Sequence, residues 1–275
     1  MSKVVLITGC STGIGRDLAQ RLSQSGYQVV ATARQVERLE ALQVALKLPL
    51  DVTLPDSVEE AVARTLGQFG RIDGLVNNAG FAVCGALEEV PLPLVQQMFE
   101  VNVFGALRMI QAVAPAMRQQ RAGQIINISS IAGKLSTPTN GAYSASKFAL
   151  EALSDALRLE LAPFGVTVVL VEPGAIKTCF DATAMSLTQP ILTNPSSPYR
   201  PLYQKGEQFE ASMRHQEPGP EVVSLVVQRA IEAHKPKALY LAGIDLPGRL
   251  VLRLRDFIWG VVVKRMFDFV PAEKA

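Results

Sequence analysis

Through the first 175 residues, short apolar runs rich in β-branched side chains alternate with longer amphipathic stretches. The runs at 4–8, 28–32, 46–50, 72–76, 124–129 and 166–172 predict strands. Helical periodicity fills 14–25, 35–45, 55–69, 93–120 and 141–163. Most of the strands are apolar at every position, as parallel strands covered by helices on both faces must be. Such alternation predicts a single α/β domain over 1–275, built as a doubly wound parallel sheet. Beyond Pro173-Gly174 the pattern breaks: residues 175–220 carry prolines at 190, 195, 198, 201, 218 and 220. A connection of that length reads as a lid over a binding site, placed at about 178–218. Periodicity returns at 221–233, a strand is predicted at 238–241, and a C-terminal helical pattern follows over about 247–270.

Composition narrows the classes. A chain of 275 residues buries about three quarters of its unfolded surface, so its core needs neither disulfide nor metal. A net charge of +2 lacks the basic excess of a nucleic-acid binder and the acidic excess of a disordered chain. Cys10, Cys84 and Cys179 are odd in number and form no C-x-x-C pair, so no metal site is expected and a reducing compartment is the default. Met1-Ser2-Lys3 runs straight into the first strand, without the pattern of a signal peptide. No apolar run approaches the roughly 18 residues that span a bilayer. The expectation is a cytoplasmic protein.

The first candidate chemistry lies after the first strand, in Thr8-Gly9-Cys10-Ser11-Thr12-Gly13-Ile14-Gly15. Glycines there permit a tight turn, and the N-terminus of the helix beyond offers unpaired N–H groups to a pyrophosphate. The spacing is G-x-x-x-G-x-G. The same residues also fit G-x-S-x-G, the nucleophile elbow of a serine hydrolase using Ser11, with His215 and His234 downstream. An elbow after the first strand leaves no upstream loop to supply the second oxyanion donor, and Gly15 has no role in it.

The second lies in Tyr143-Ser144-Ala145-Ser146-Lys147, where tyrosine and lysine stand four apart on one helical face. An ammonium beside a phenol favours the phenolate, which lets the tyrosine exchange a proton with a carbonyl or alcohol oxygen. Ser130 follows the apolar run ending at Ser129, where open α/β sheets build their sites. Asn102 is a polar residue inside an apolar helical pattern; by itself it reads as a buried asparagine bonding backbone.

Together these motifs resemble the short-chain dehydrogenase/reductase family, closest in feel to its hydroxysteroid and retinol dehydrogenase-like members. The resemblance rests on the glycine loop, Asn77-Asn78-Ala79-Gly80, the set Asn102, Ser130, Tyr143 and Lys147, and Pro173-Gly174 with Thr178. It implies a Rossmann-type fold and the following roles. Tyr143 is the general acid in reduction and the base in oxidation, and Lys147 lowers its pKa and binds the nicotinamide ribose. Ser130 orients the carbonyl, and Asn102 holds a water in a relay to Lys147. Gly9, Ser11, Thr12, Gly13, Ile14 and Gly15 cradle the cofactor; Asp51 and Val52 contact its adenine; Asn78, Ala79 and Gly80 line it. Pro173, Gly174, Ile176 and Thr178 hold its carboxamide side. The second strand ends Ala33-Arg34 with no acid, so Arg34 predicts NADP(H) in preference to NAD(H).

The expected pocket walls are Phe81, Ala82 and Val83, the segment 131–139, and the lid with Phe180, Met185, Leu187, Tyr199, Tyr203, Phe209 and Met213. They are mostly apolar, with Lys134 an exception, which favours a small lipophilic substrate: a steroid, retinoid or fatty carbonyl or alcohol. A dinucleotide-binding sensor or scaffold without turnover is the alternative from another class. The family's habit implies a homodimer or homotetramer, with Ala106, Leu107, Ile110, Val113 and Ala114 as interface or core. The 247–270 stretch is apolar on one face and carries a local charge of +3 over 246–270. It reads either as a helix over the pocket or a subunit contact, or as a peripheral membrane contact.

Overall fold

The computed structural model describes residues 2–213 and 217–245, with Gly248 and Leu252 besides; the expected 247–270 helix and His215 otherwise lie outside these. In chain order the elements are β1 (Val4–Ile7), α1 (Gly13–Gln24), β2 (Gln28–Ala33), β3 (Leu46–Pro49), α2 (Pro55–Phe69) and β4 (Gly74–Asn77). They continue with α3 (Leu92–Phe99), α4 (Ala106–Gln120), β5 (Gly123–Ile128), α5 (Gly141–Leu161) and β6 (Val166–Pro173). Then come α6 (Cys179–Leu192), α7 (Arg200–Met213), α8 (Glu221–Glu232) and β7 (Leu239–Ala242). The seven strands lie in the order β3-β2-β1-β4-β5-β6-β7, and all six pairings are parallel.

Strand residues divide alternately between two cores. Val5, Ile7, Val29, Ala31, Ile126, Val169 and Val171 join Leu18 and Leu22 of α1 and Val223 and Val227 of α8. Val4, Leu6, Val30, Ile125, Val166 and Val168 join Val58 and Val62 of α2, Met109 and Val113 of α4, and Leu161 of α5. Period-two alternation thus sends successive side chains into opposite apolar layers, which is why the strands carry no polar face. The strand order reverses between β1 and β4. That switch point opens a crevice at the carboxyl ends of the strands, where open sheets bind ligands.

Three expectations about elements are corrected. The helix expected over 35–45 is a single 3₁₀ turn, Val36–Leu39, because only two residues separate it from the buried end of β2 and the chain must return to β3. The helix expected over 93–120 is broken by a π-helical turn, Glu100–Gly105, between α3 and α4. The 175–220 connection carries two helices, α6 and α7, despite its prolines; Pro190 lies inside α6. Ala106, Ile110 and Val113 are buried.

Candidate active site

Thr8 and Asn78 build the switch-point crevice from its floor. The Thr8 hydroxyl accepts from the backbone N–H groups of Asn78 (3.0 Å) and Ala79 (2.9 Å). The Asn78 amide donates to the carbonyls of Thr8 (2.9 Å) and Gly9 (3.1 Å). Asn78 therefore ties the loop after β4 to the glycine loop, and its amide faces that loop. Gly9 has φ of +73°, a left-handed conformation that favours glycine, and Ala79 lies 3.0 Å from where a Cβ would stand. At Gly15 a Cβ would meet the Gly9 carbonyl at 2.4 Å and the Asn78 amide at 2.5 Å. Only glycine lets α1 start this close to β1. Thr12 precedes the first turn of α1, which holds no acidic residue, so its N–H groups meet no competing side-chain anion. Thr178 lies over Gly13, 3.3 Å from its would-be Cβ. The turn after β6 thus closes over the glycine loop, with the Gly174 N–H on the Ala242 carbonyl and Ile176 buried. The cradle fits a dinucleotide pyrophosphate.

At the edge of that cradle the Arg16 guanidinium donates to the carbonyls of Ser11 (3.4 Å) and Arg38 (3.2 Å). Arg34 is exposed at the end of β2. Arg16 and Arg38 escaped the sequence reading because nothing in their spacing brings them to the loop; the turn Val36–Leu39 does. Asp51 accepts from the N–H (2.9 Å) and hydroxyl (2.7 Å) of Thr53, closing its own turn. Val52 is buried, packed where a Cβ on Gly105 would stand at 2.6 Å.

The other side of the crevice is built on β5, α5 and the turn between them. Ser130 caps the 3₁₀ turn Ile131–Gly133, its hydroxyl accepting from the Ala132 N–H at 3.1 Å. Lys147 is buried, its Nζ donating to the Ile128 carbonyl at 2.8 Å and standing 5.8 Å from the centroid of the Tyr143 ring. Burial pulls the Lys147 ammonium down to about 8, against an upward pull from the Glu151 carboxylate. The π-helical turn presents Asn102, 1% exposed, to the loop after β4. Its amide donates to the Phe81 carbonyl (2.9 Å) and to the Ser146 hydroxyl (3.1 Å), and its Oδ1 accepts from the Phe81 N–H (3.0 Å). The bland reading of Asn102 therefore describes its side chain. It fixes the loop beside Gly80, whose would-be Cβ lies 3.9 Å from the Lys147 Nζ. The structure thus brings Gly80, Asn102, Tyr143 and Lys147 together, with Ser130 one residue before the turn that packs on α5.

Other residues came to light only in the fold. Asn77 donates to Asn127 (2.9 Å), Asn127 to Ser154 (2.8 Å), and Ser154 to the Leu150 carbonyl (2.7 Å), a buried ladder fastening β4, β5 and α5. The Lys134 ammonium pairs with Glu151 and lies 3.5 Å from Glu172. Tyr203 is buried rather than a pocket face. It bonds Glu89 and accepts from the Ala86 N–H at 3.1 Å, anchoring α7 to the segment before α3. Burial, with Glu89 beside it, pushes the Tyr203 phenol up to about 12. The side chains of Phe180, Met185, Phe209 and Met213 lie outside the described residues. His234 sits beside Lys3 and Asp73, at the end of the sheet where β1 begins, so it cannot serve Ser11 as a base.

This is the site of a nicotinamide-dependent oxidoreductase, with a dinucleotide cradle on one side of the switch point and a tyrosine–lysine pair on the other. Residues 3–187 match the model of the short chain dehydrogenase family, and the chain belongs to that family, whose members act on CH–OH and C=O groups. It is 45% identical over 178 residues to a 3-ketodihydrosphingosine reductase of Bacteroides thetaiotaomicron, a match spanning 65% of each chain. It is 35% identical over 266 residues to the 17-beta-hydroxysteroid dehydrogenase type 1 of Homo sapiens, covering 92% of this chain and 81% of that one. Among solved structures it resembles a Burkholderia phymatum short chain dehydrogenase/reductase in complex with NAD, at 28% identity and a TM-score of 0.78, covering 95% of both chains. It also resembles a metagenomic short-chain oxidoreductase in complex with NADP, at 29% identity and a TM-score of 0.69, covering 88% of this chain and 97% of that one.

Proposed function

We propose that the chain is an NADP(H)-dependent oxidoreductase that interconverts a lipophilic ketone or aldehyde with its alcohol, using Tyr143, Lys147 and Ser130. The observation that carries the reading is the Lys147 ammonium held 5.8 Å from the Tyr143 ring centroid by the Ile128 carbonyl. The cofactor supplies or takes the hydride. Tyr143 gives its proton to the carbonyl oxygen in reduction and takes one from the alcohol in oxidation, and the nearby ammonium stabilises the phenolate. Ser130 orients the carbonyl oxygen. Lys147 also holds the nicotinamide ribose, and Asn102 keeps the loop after β4 in place.

The lipophilic class is supported by the surroundings of Tyr143. Its ring packs with Phe81, Leu94, Val95 and Ile191 around buried Val83, Val90, Met98 and Ala142. A sphingoid reductase and a steroid dehydrogenase among the relatives fit the same class. NADP(H) preference is supported by the absence of an acid at the end of β2, by exposed Arg34 and by Arg16, which reaches the carbonyls of Ser11 and Arg38. Residues 178–218 form the substrate lid, with Tyr203 as its anchor. Phe104, Phe148 and Leu159 are exposed, and this apolar surface on and beside α4 and α5 supports a homodimer or homotetramer.

Turnover is to be sought by following NADPH oxidation against steroids, retinoids, fatty aldehydes and small ketones. Tyr143→Phe should then lower kcat by about 10²-fold or more and leave NADPH binding intact. Retained turnover in that variant overturns the assignment. NADPH binding without turnover on any carbonyl by the unaltered protein would favour the sensor.

A further inference from the structure

One helical turn beyond Lys147, the structure buries an acid–base cluster that the proton-transfer step does not touch. Glu151 of α5 accepts the Ser129 hydroxyl on Oε1 at 2.8 Å and pairs through Oε2 with the Lys134 ammonium. Lys134 comes from the turn that Ser130 caps, and Glu172 of β6 lies 3.5 Å from its Nζ. Glu151 is 4% exposed and Glu172 1%. The turn is pressed onto this carboxylate. A Cβ on Gly133 would meet Glu151 Oε1 at 2.5 Å and the Ser129 hydroxyl at 2.8 Å. Two buried carboxylates around one ammonium carry one negative charge too many for a low-dielectric interior. The excess is removed at Glu172, which burial and the neighbouring Glu151 charge push up to about 8. Burial opposes the charge on Lys134, but Glu151 and Glu172 outweigh it and raise its pKa. The charged pair that results is Lys134 with Glu151, and Glu151 is the group whose charge opposes the neutralisation of buried Lys147.

We propose that Glu151 is a positioning residue that keeps Lys147 charged, and that Lys134 and Glu172 set how strongly Lys147 feels it. The significance for catalysis rests on the reading of Tyr143 and Lys147 as the proton-transfer pair; the coupling itself does not. Beside Lys147 stand Tyr143 and, one helical turn on, Glu151 of α5; the Ser129 hydroxyl that Glu151 accepts adjoins the Ile128 carbonyl that holds the Lys147 Nζ, and Lys134 in turn pairs with Glu151 and lies near Glu172. The loop after β4 brings Gly80 beside it and the π-helical turn the neutral Asn102, while Glu100 of that turn pairs with Arg108. Removing the Glu151 charge withdraws support from the ammonium. Removing the Lys134 charge leaves the negative charge of Glu151 uncompensated and strengthens that support. The two changes act on Lys147 in opposite directions, although each destroys the same ion pair.

The test reads Lys147 directly and needs neither substrate nor cofactor. The 275-residue chain labelled with carbon-13 at lysine Cε is titrated by NMR, and the Lys147 signal is assigned by its disappearance in Lys147→Met. Unaltered protein should titrate at about 8. Glu151→Gln should move that midpoint down by about one pH unit, and Lys134→Met should move it up. Lys134→Arg, which keeps the charge, should leave it in place. If Glu151→Gln does not fold, the upward movement in Lys134→Met and its absence in Lys134→Arg still decide the matter. Midpoints that stay put, or that move the same way in both charge-removing variants, overturn the proposal. Those outcomes leave the oxidoreductase assignment standing, since that falls only with turnover in Tyr143→Phe.

Discussion

At the carboxyl ends of β1 and β4 the site is made of backbone, whereas at the ends of β5 and β6 it is made of buried charge. On the first side, Gly9, Gly13 and Gly15 let loop and helix approach one another, and the side chains of Thr8 and Asn78 serve only to tie two loops together. On the second, Lys147, Glu151, Lys134 and Glu172 place four ionisable groups within one layer between α5, β6 and the Ser130 turn. The difference follows from the task. A pyrophosphate already carries its charge and needs N–H groups in a fixed geometry, so shape is what the cradle supplies. On the proposed reading, a tyrosine that gives and takes a proton needs its environment tuned, and the opposite side holds the charges that could tune it. The two halves should therefore fail in different ways.

The largest effect is expected on the backbone side. Gly15→Ala drives a methyl group into the Gly9 carbonyl and should cost about 3 kcal/mol of stability, with NADPH binding lost even where the fold survives. Thermal melting with and without NADPH checks it; binding at the unaltered affinity would show that the loop can yield. Next is the ladder between the halves. Asn127→Leu leaves Asn77 and Ser154 without their buried partner and should cost about 2 kcal/mol in urea unfolding.

On the charged side the effect is a slope with pH. The Glu172 carboxyl sits at about 8 in the folded protein against 4.5 ordinarily. The folded state therefore binds a proton that the unfolded chain releases, and stability falls as pH rises from about 4.5 to about 8. Glu172→Gln should flatten that part of the stability–pH curve; an unchanged slope would place the titration elsewhere. The smallest effect belongs to exposed Arg34. Arg34→Ala should weaken NADPH binding about tenfold, roughly 1.4 kcal/mol, and leave NADH unchanged. Equal weakening of both would remove the 2′-phosphate role.

The amino-acid sequence by itself determined the doubly wound sheet, because strand runs apolar at every position can only be covered on both faces. It also determined the glycine loop and the Tyr143–Lys147 pair, since their signals are local spacings within one turn or one helix. Tertiary structure alone decided what joins distant segments. The π-helical turn at Asn102 is invisible to periodicity, because it shifts the helix by a single position inside an apolar run. Lys134 reads as a pocket residue from its place in the chain. Only the packing of α5 and β6 delivers the two carboxylates that claim it, from seventeen and thirty-eight residues further along. Arg16 reaches the carbonyls of Ser11 and Arg38 for the same reason. A residue's backbone conformation is written largely in its neighbours, but the charge it faces is set by chain segments that only folding brings to it.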